Sequence, residues 1–324
     1  SFLDIPFTKL ATEHGGSKIM ANTVATGAVL GMLGMDLEIL IDLIKSTFRK
    51  KGEEIVAANR NAALAGYDHA VKGCLRCNFG VPAAGAAAPL MLVGGTEAIA
   101  LGALASGVKF YSAYPMTPST GIMNYLASKE KEFGLVVEQA EDEIAAINMA
   151  VGASFAGARS MTASSGGGFA LMVEGVSLAA MTETPVVIAL GQRPGPATGF
   201  PTRTEQAELH MALHAGHGEF PRFIFAPGSP EQAFFLTNKA FDLAEKYQVP
   251  SFVLFDTYLS DCQWTYRGFD PARLSNRDYR LRGEAFAALT EYNRYAFTTN
   301  GVTPLAVPGD GPHCVVADSD EHDE

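Results

Sequence analysis

From residue 89 to residue 255 the chain repeats one unit: a short apolar run, a turn, then a stretch with helical periodicity. The apolar runs predict strands at 90–93, 110–113, 135–138, 159–163, 185–190, 222–225 and 251–255. The stretches 94–106, 120–131, 142–157, 169–181 and 230–246 predict helices among them. A strand, helix, strand repeat joins strands in parallel and lays helices over the sheet. The expected fold class is α/β, a parallel sheet flanked by helices. Ligands in open sheets of this type sit beyond the carboxyl ends of the strands, which directs attention to 114–119, 138–143, 164–168 and 191–205.

The chain before this repeat has another texture. Leu30, Leu33, Leu37, Ile41 and Ile44 recur at steps of three and four and predict one helix over 17–48, with a second at about 52–71. No strand is delimited between them, so residues 1–80 read as a helical piece whose sheet is elsewhere. Residues 81–88, rich in Ala, Gly and Pro, are the expected linker, 89–262 the main α/β domain, and 263–324 a connecting segment.

Composition narrows the function. A formal charge of −11 argues against nucleic acid, although five of the carboxylates lie in the last seven residues. Apolar runs such as 83–93 contain Pro and Gly and fall short of the roughly 18–20 residues of a membrane span. The start carries no basic-then-apolar leader. Four cysteines do not make a disulfide framework, and a cytoplasmic setting is expected. The chain begins at Ser1 rather than Met, so one or both ends are expected to be cut from something longer.

Four segments could carry chemistry, and each has a plain structural alternative. Tyr114-Pro115-Met116-Thr117-Pro118-Ser119-Thr120 follows a strand; it is either a stiff connection with a helix cap or a loop presenting Thr117 to a ligand. The cluster 138–143 ends in Glu143, ahead of an almost wholly apolar helix expected to be buried on most sides. Acidic residues suit a first helical turn, but a carboxyl at the mouth of a buried helix can also stay protonated and donate a hydrogen bond. The three glycines 166–168 are either a turn or a close approach to a ligand, without a Walker or dinucleotide pattern. The loop 192–203 carries Arg193 and Arg203 among three prolines, as solvated side chains or as partners for a carboxylate. Cys74 and Cys77 have metal-ligand spacing, but Cys262 and Cys314 are single and distant. His210, His214 and His217 read as a partly exposed helix face. Gly309-Asp310-Gly311 resembles the start of a motif for magnesium diphosphate, but too little chain follows to complete it.

Taken in order, YPMTPST (114–120), the run 138–172, GQRPGPATGFPTRTEQAEL (191–209) and GHGEFPR (216–222) resemble the α subunit of 2-oxoacid:ferredoxin oxidoreductases, in particular the 2-oxoglutarate type with fused γ and α parts. The resemblance implies a thiamine-diphosphate-binding (pyrimidine) domain preceded by a helical remnant of a γ domain, with residues 263–324 leading to a following domain that is absent. It implies that Glu143 contacts N1′ of the aminopyrimidine, that Tyr114 and Pro115 lie beside the cofactor, and that Thr117, Arg193 and Arg203 serve the substrate. Thiamine diphosphate would be shared with a β subunit carrying Mg²⁺ and a [4Fe-4S] cluster. Ferredoxin, coenzyme A and a 2-oxoacid complete the implied partners, in a dimer of α/β heterodimers. The alternatives are a half-site subunit of a non-oxidative thiamine-dependent 2-oxoacid decarboxylase and a non-catalytic assembly subunit.

Overall fold

A computed structural model describes residues 3–74, 81 and 88–322, and the chain divides into two compact units, Ser1–Ala88 and Pro89–Glu324. The first unit contains α1 (Phe7–Gly15), α2 (Ala21–Leu33), α3 (Leu37–Phe48) and α4 (Glu53–Gly73). The single helix expected over 17–48 is broken. Gly34 closes α2 in the left-handed conformation (φ 64°), and the Asp36 carboxylate accepts the Glu38 amide at 3.0 Å to open α3. The apolar phase continues across the break, so periodicity alone hides it. Leu40, Ile44 and Ala63 are buried together, with Leu30 and Leu37 packed against them. Cys77 lies outside the described residues.

The second unit opens with β1 (Met91–Gly94), which does not enter the main sheet. It pairs antiparallel with β8 (Gln263–Tyr266), a segment without the apolar run that marks the other strands. The main sheet is built from β2 (Phe110–Ala113), β3 (Val136–Gln139), β4 (Ser160–Ser165), β5 (Val186–Gln192), β6 (Phe223–Phe225) and β7 (Pro250–Asp256), all parallel in the order β3-β2-β4-β5-β7-β6. The helices are α5 (Gly95–Ala105), α6 (Thr120–Phe133), α7 (Glu143–Phe155), α8 (Gly166–Met181), α9 (Leu209–His214), α10 (Pro230–Tyr247), α11 (Thr257–Asp261) and α12 (Gly283–Ala287).

The strand period of two divides the core in half. Val187, Ala189, Val253 and Phe255 pack with α5, α6 and α10, whereas Ile188, Leu190, Phe252 and Leu254 pack with α7, α8 and α9. Burying each larger side chain is worth roughly 1.5–3 kcal/mol over leaving it exposed. Both faces being covered explains why β5 and β7 read as continuous rather than alternating apolar runs. The neighbours β2 and β4 send their following helices, α6 and α8, to opposite faces. The strand order reverses between them, and such a reversal opens a crevice at the carboxyl ends.

Residues 267–322 return to the same unit. Glu245 on α10 lies between two arginines, 2.5 Å from Arg159 and 2.8 Å from Arg280. Asn238 donates to the Ser275 carbonyl at 3.1 Å, and Arg294 pairs with Glu183 at 3.2 Å. The Asp310 carboxylate of Gly309-Asp310-Gly311 pairs with Arg282 at 3.1 Å. Among the described residues, no helix is long and apolar enough to cross a membrane.

Candidate active site

Asp142 starts α7 by accepting the Ala145 amide at 2.7 Å, which leaves the next residue, Glu143, to turn inward. The Glu143 side chain is buried, and its Oε1 has no hydrogen-bond partner. Leaving a buried polar atom unpaired costs about 1–3 kcal/mol, and more for a charge, so ordinary packing gives no reason for a carboxyl here. The helix is not enclosed on most sides as expected. Glu143, Ala146, Ile147, Ala150 and Val151 form a buried stripe, while Ile144, Asn148 and Gly152 remain exposed.

The three glycines are the first turn of α8, not a loop before it. Gly168 faces Glu143: a Cβ there would stand 2.4 Å from Glu143 Oε1 and 2.1 Å from Ser164 Oγ. The space that the carboxyl fills exists because residue 168 has no side chain. Ser164 Oγ lies 3.7 Å from Met116 Sδ, which ties this turn to the loop after β2.

That loop is held from several sides. Ser119 Oγ donates to the Met116 carbonyl at 2.7 Å, and Ser260 Oγ donates to the Pro118 carbonyl at 3.2 Å. Arg193 Nη1 donates to the Thr117 carbonyl at 2.6 Å. The Thr117–Pro118 bond is cis. Tyr114 and Thr117 are exposed and Pro115 half-buried, whereas Arg193 is only 8% exposed. The structure thus joins Thr117 and Arg193 directly, and brings Glu143 next to the same loop through Ser164 and Met116.

The loop leaving β5 folds back over the strand ends. Thr257 Oγ1 donates to the Arg203 carbonyl at 3.0 Å, Thr204 Oγ1 accepts the Tyr258 amide at 3.3 Å, and Gln206 donates to Asp256 at 2.8 Å. Arg203 itself is exposed and does not line the pocket that the loop encloses. That pocket, of about 290 Å³, is bordered by Gly166, Gly167, Arg193, Pro194, Ala197 and Glu208.

Glu208 is a site residue that the sequence did not single out. It is 9% exposed, its Oε2 is buried without a partner, and burial pushes its carboxyl above the usual glutamate range. Within the polar run 202–206 and its continuation, nothing in the sequence marks this glutamate as buried. His210 and His214 stack their rings 6.4 Å apart on α9, and among the described residues no three His, Cys, Asp or Glu side chains gather as a metal site.

A parallel sheet whose reversal point collects a buried unpartnered glutamate, a glycine-walled space and a buried arginine has the form of a thiamine-diphosphate-binding α/β domain. The family model described as pyruvate flavodoxin/ferredoxin oxidoreductase, thiamine diphosphate-binding, matches residues 101–322, and the chain belongs to this family. The model for pyruvate ferredoxin/flavodoxin oxidoreductase matches residues 1–69. The 2-oxoacid:ferredoxin oxidoreductase subunit alpha of Saccharolobus solfataricus is 37% identical over 318 residues, covering 94% of this chain and 48% of that protein. The 2-oxoglutarate synthase subunit KorA of Archaeoglobus fulgidus is 45% identical over 165 residues, covering 51% of this chain and 48% of its own. The solved 2-oxoglutarate:ferredoxin oxidoreductase of Magnetococcus marinus, with 2-oxoglutarate, coenzyme A and succinyl-CoA bound, superposes with a TM-score of 0.87 at 35% identity. That match covers 99% of this chain and 55% of the other. The chain spans about half the length of the curated relatives it matches. The fold class and family read from the sequence are borne out.

The residues fit an aminopyrimidine. A ring nitrogen needs a carboxyl that no group of the chain already engages, and Glu143 Oε1 is such an oxygen.

Proposed function

We propose that this chain supplies the pyrimidine-binding half of the thiamine diphosphate site of a 2-oxoacid:ferredoxin oxidoreductase, for the CoA-dependent oxidative decarboxylation of a 2-oxoacid. The carrying observation is the buried Glu143 carboxyl, whose Oε1 has no partner and is set against Gly168 at the sheet's reversal point. When bound, thiamine diphosphate supplies the electron sink for decarboxylation. Glu143 holds a proton at N1′ of the pyrimidine and so fixes the ring's tautomer. Tyr114 and Pro115 flank the cofactor from the loop after β2. Arg193 takes the substrate carboxylate: one of its donors is engaged by the Thr117 carbonyl, and a guanidinium has five. Thr117 lies beside the reacting carbon, and Arg203 contributes positive charge from the exposed part of the same loop.

The favoured substrate is 2-oxoglutarate. KorA relatives and the Magnetococcus marinus enzyme, whose names specify it, support that choice. Mg²⁺, the diphosphate contacts and a [4Fe-4S] cluster are assigned to a β subunit, with ferredoxin as acceptor, a dimer of α/β heterodimers as the assembly and the cytoplasm as its setting. An apolar face on α7 and α8, with Ile144 49% and Leu171 50% exposed, supports a partner chain there. The domain scheme remains 1–80 for the γ-like piece, 81–88 for the linker, 89–262 for the pyrimidine domain and 263–324 for the segment beyond.

The test is Glu143→Gln in the α chain assembled with its β subunit. Viologen reduction dependent on 2-oxoglutarate and CoA is expected to fall by about 10²–10⁴, the usual range for a positioned acid or base, with assembly intact. Wild-type turnover would refute the assignment. Release of CO₂ without dye reduction by the unsubstituted complex would favour the non-oxidative decarboxylase.

A further inference from the structure

We infer that Glu208 is a positioning residue of this half-site, acting through Arg193. The inference deepens the reading of Arg193 as the ligand of the substrate carboxylate and rests on it.

Glu208 and Arg193 are tied at the base of the loop they bound. The Glu208 amide donates to Gln192 Oε1 at 3.3 Å, and the backbone N–H of Arg193 acts on the Glu208 carboxyl, favouring its charged form against the effect of burial. The two ends of the loop are thereby held together at its base, with the Glu208 side chain against the start of the loop. Gly166 provides the room. A Cβ at that position would stand 2.6 Å from Glu208 Oε1 and 2.9 Å from its Cγ. The register pairs Ser165 with Gly191, which sets this glycine beside Gln192 and Arg193. Gly166, Arg193 and Glu208 then line one pocket.

Burial agrees with that role. Desolvation raises the carboxyl, which keeps it uncharged over more of the pH range and lowers the cost of placing it beside an apolar turn. Glu205 on the same loop adds negative charge in the same direction. An uncharged carboxyl still presents a carbonyl oxygen to the Arg193 amide. Glutamine should therefore replace Glu208 without loss, whereas alanine should release the end of β5 and let the guanidinium drift. A carboxylate clamp misplaced by a fraction of an ångström weakens substrate binding before it affects cofactor binding.

The experiment uses the α chain assembled with the β subunit, with 2-oxoglutarate as the varied substrate and viologen reduction as the readout. Glu208→Ala is expected to raise KM for 2-oxoglutarate by ~10-fold, with KM for CoA and the affinity for thiamine diphosphate unchanged. Glu208→Gln is expected to remain within about twofold of the unsubstituted complex, because its amide oxygen keeps the acceptor. Arg193→Ala should raise KM by itself, and adding Glu208→Ala to it should raise KM no further. Additive effects in the double variant, or an equal loss of thiamine diphosphate affinity, would overturn the positioning role. Arg193→Ala raising KM while Glu208→Ala does not would overturn this inference alone; an unchanged KM in Arg193→Ala would overturn it together with the substrate site. Where Glu208→Ala fails to assemble, Glu208→Asp takes its place: one methylene shorter, it should raise KM, and an unchanged KM would count against the inference.

Discussion

Three consecutive glycines open α8, and their neighbours make a residue-by-residue prediction for alanine at each. At Gly168 the new Cβ would lie 2.4 Å from Glu143 Oε1 and 2.1 Å from Ser164 Oγ, against a limit of 3.0 Å that real Cβ atoms respect. The Glu143 carboxyl must retreat by about 0.6 Å and the serine by about 0.9 Å. A shift approaching 1 Å in a reacting group can cost about 10²-fold in rate, so Gly168→Ala is expected to lower kcat by roughly 10- to 100-fold, while overpacking costs about 1–3 kcal/mol of stability. At Gly167 the nearest atom would be the Ala197 carbonyl at 3.4 Å, an ordinary contact. Gly167→Ala should keep full turnover and gain about 0.5–1 kcal/mol from its helical position. At Gly166 the new Cβ would press on the Glu208 carboxyl at 2.6 Å, and the expected effect is a raised KM for the 2-oxoacid with kcat retained. Steady-state kinetics of the assembled complex and urea melts measure all three. The reasoning fails if the three alanines behave alike, or if Gly168→Ala turns over at the normal rate.

Two further outcomes test the scaffold that carries the site. Glu245 is buried between Arg159 and Arg280, so Glu245→Ala leaves Arg159 without a carboxylate and Arg280 with Asp278 alone, and should destabilise by about 3–5 kcal/mol in urea melts; a loss below about 1 kcal/mol would show that the cluster is not held together by its charge. The Tyr111 hydroxyl is buried under the sheet without a hydrogen-bond partner, so Tyr111→Phe should be neutral or stabilising by up to about 1 kcal/mol, and a clear drop in the thermal midpoint would reveal a partner for that hydroxyl.

What the sequence disclosed follows the physics of each element. The strands β5 and β7 were legible because both faces of the sheet are covered, which writes continuous apolar runs into the chain. β1 was legible as a strand but not as a ribbon outside the sheet, since its partner Gln263–Tyr266 carries no such run. The break at Gly34 was hidden because a left-handed cap and an Asp36 N-cap interrupt the backbone without changing the apolar phase. Glu143 could be singled out by its position ahead of an apolar helix. Glu208 could not, because its burial comes from a tertiary approach to Gly166, forty-two positions earlier in the chain.

The two carboxyls explain one another through the glycine turn. A helix start needs no run of three glycines: serine, threonine or aspartate serves better, and each glycine in a helix costs about 0.5–1 kcal/mol relative to alanine. That cost is offset only if something else occupies the space. At residue 168 the occupant is Glu143, and at residue 166 it is Glu208, each with one buried oxygen that no other group of the chain engages. Folding stability alone would favour filling both places with apolar side chains and removing both carboxyls. The arrangement makes sense as a site, in which the sheet reversal sets the crevice, the glycines admit the carboxyls, and Arg193, bonded to Thr117, lines the pocket beside Gly166 and Glu208.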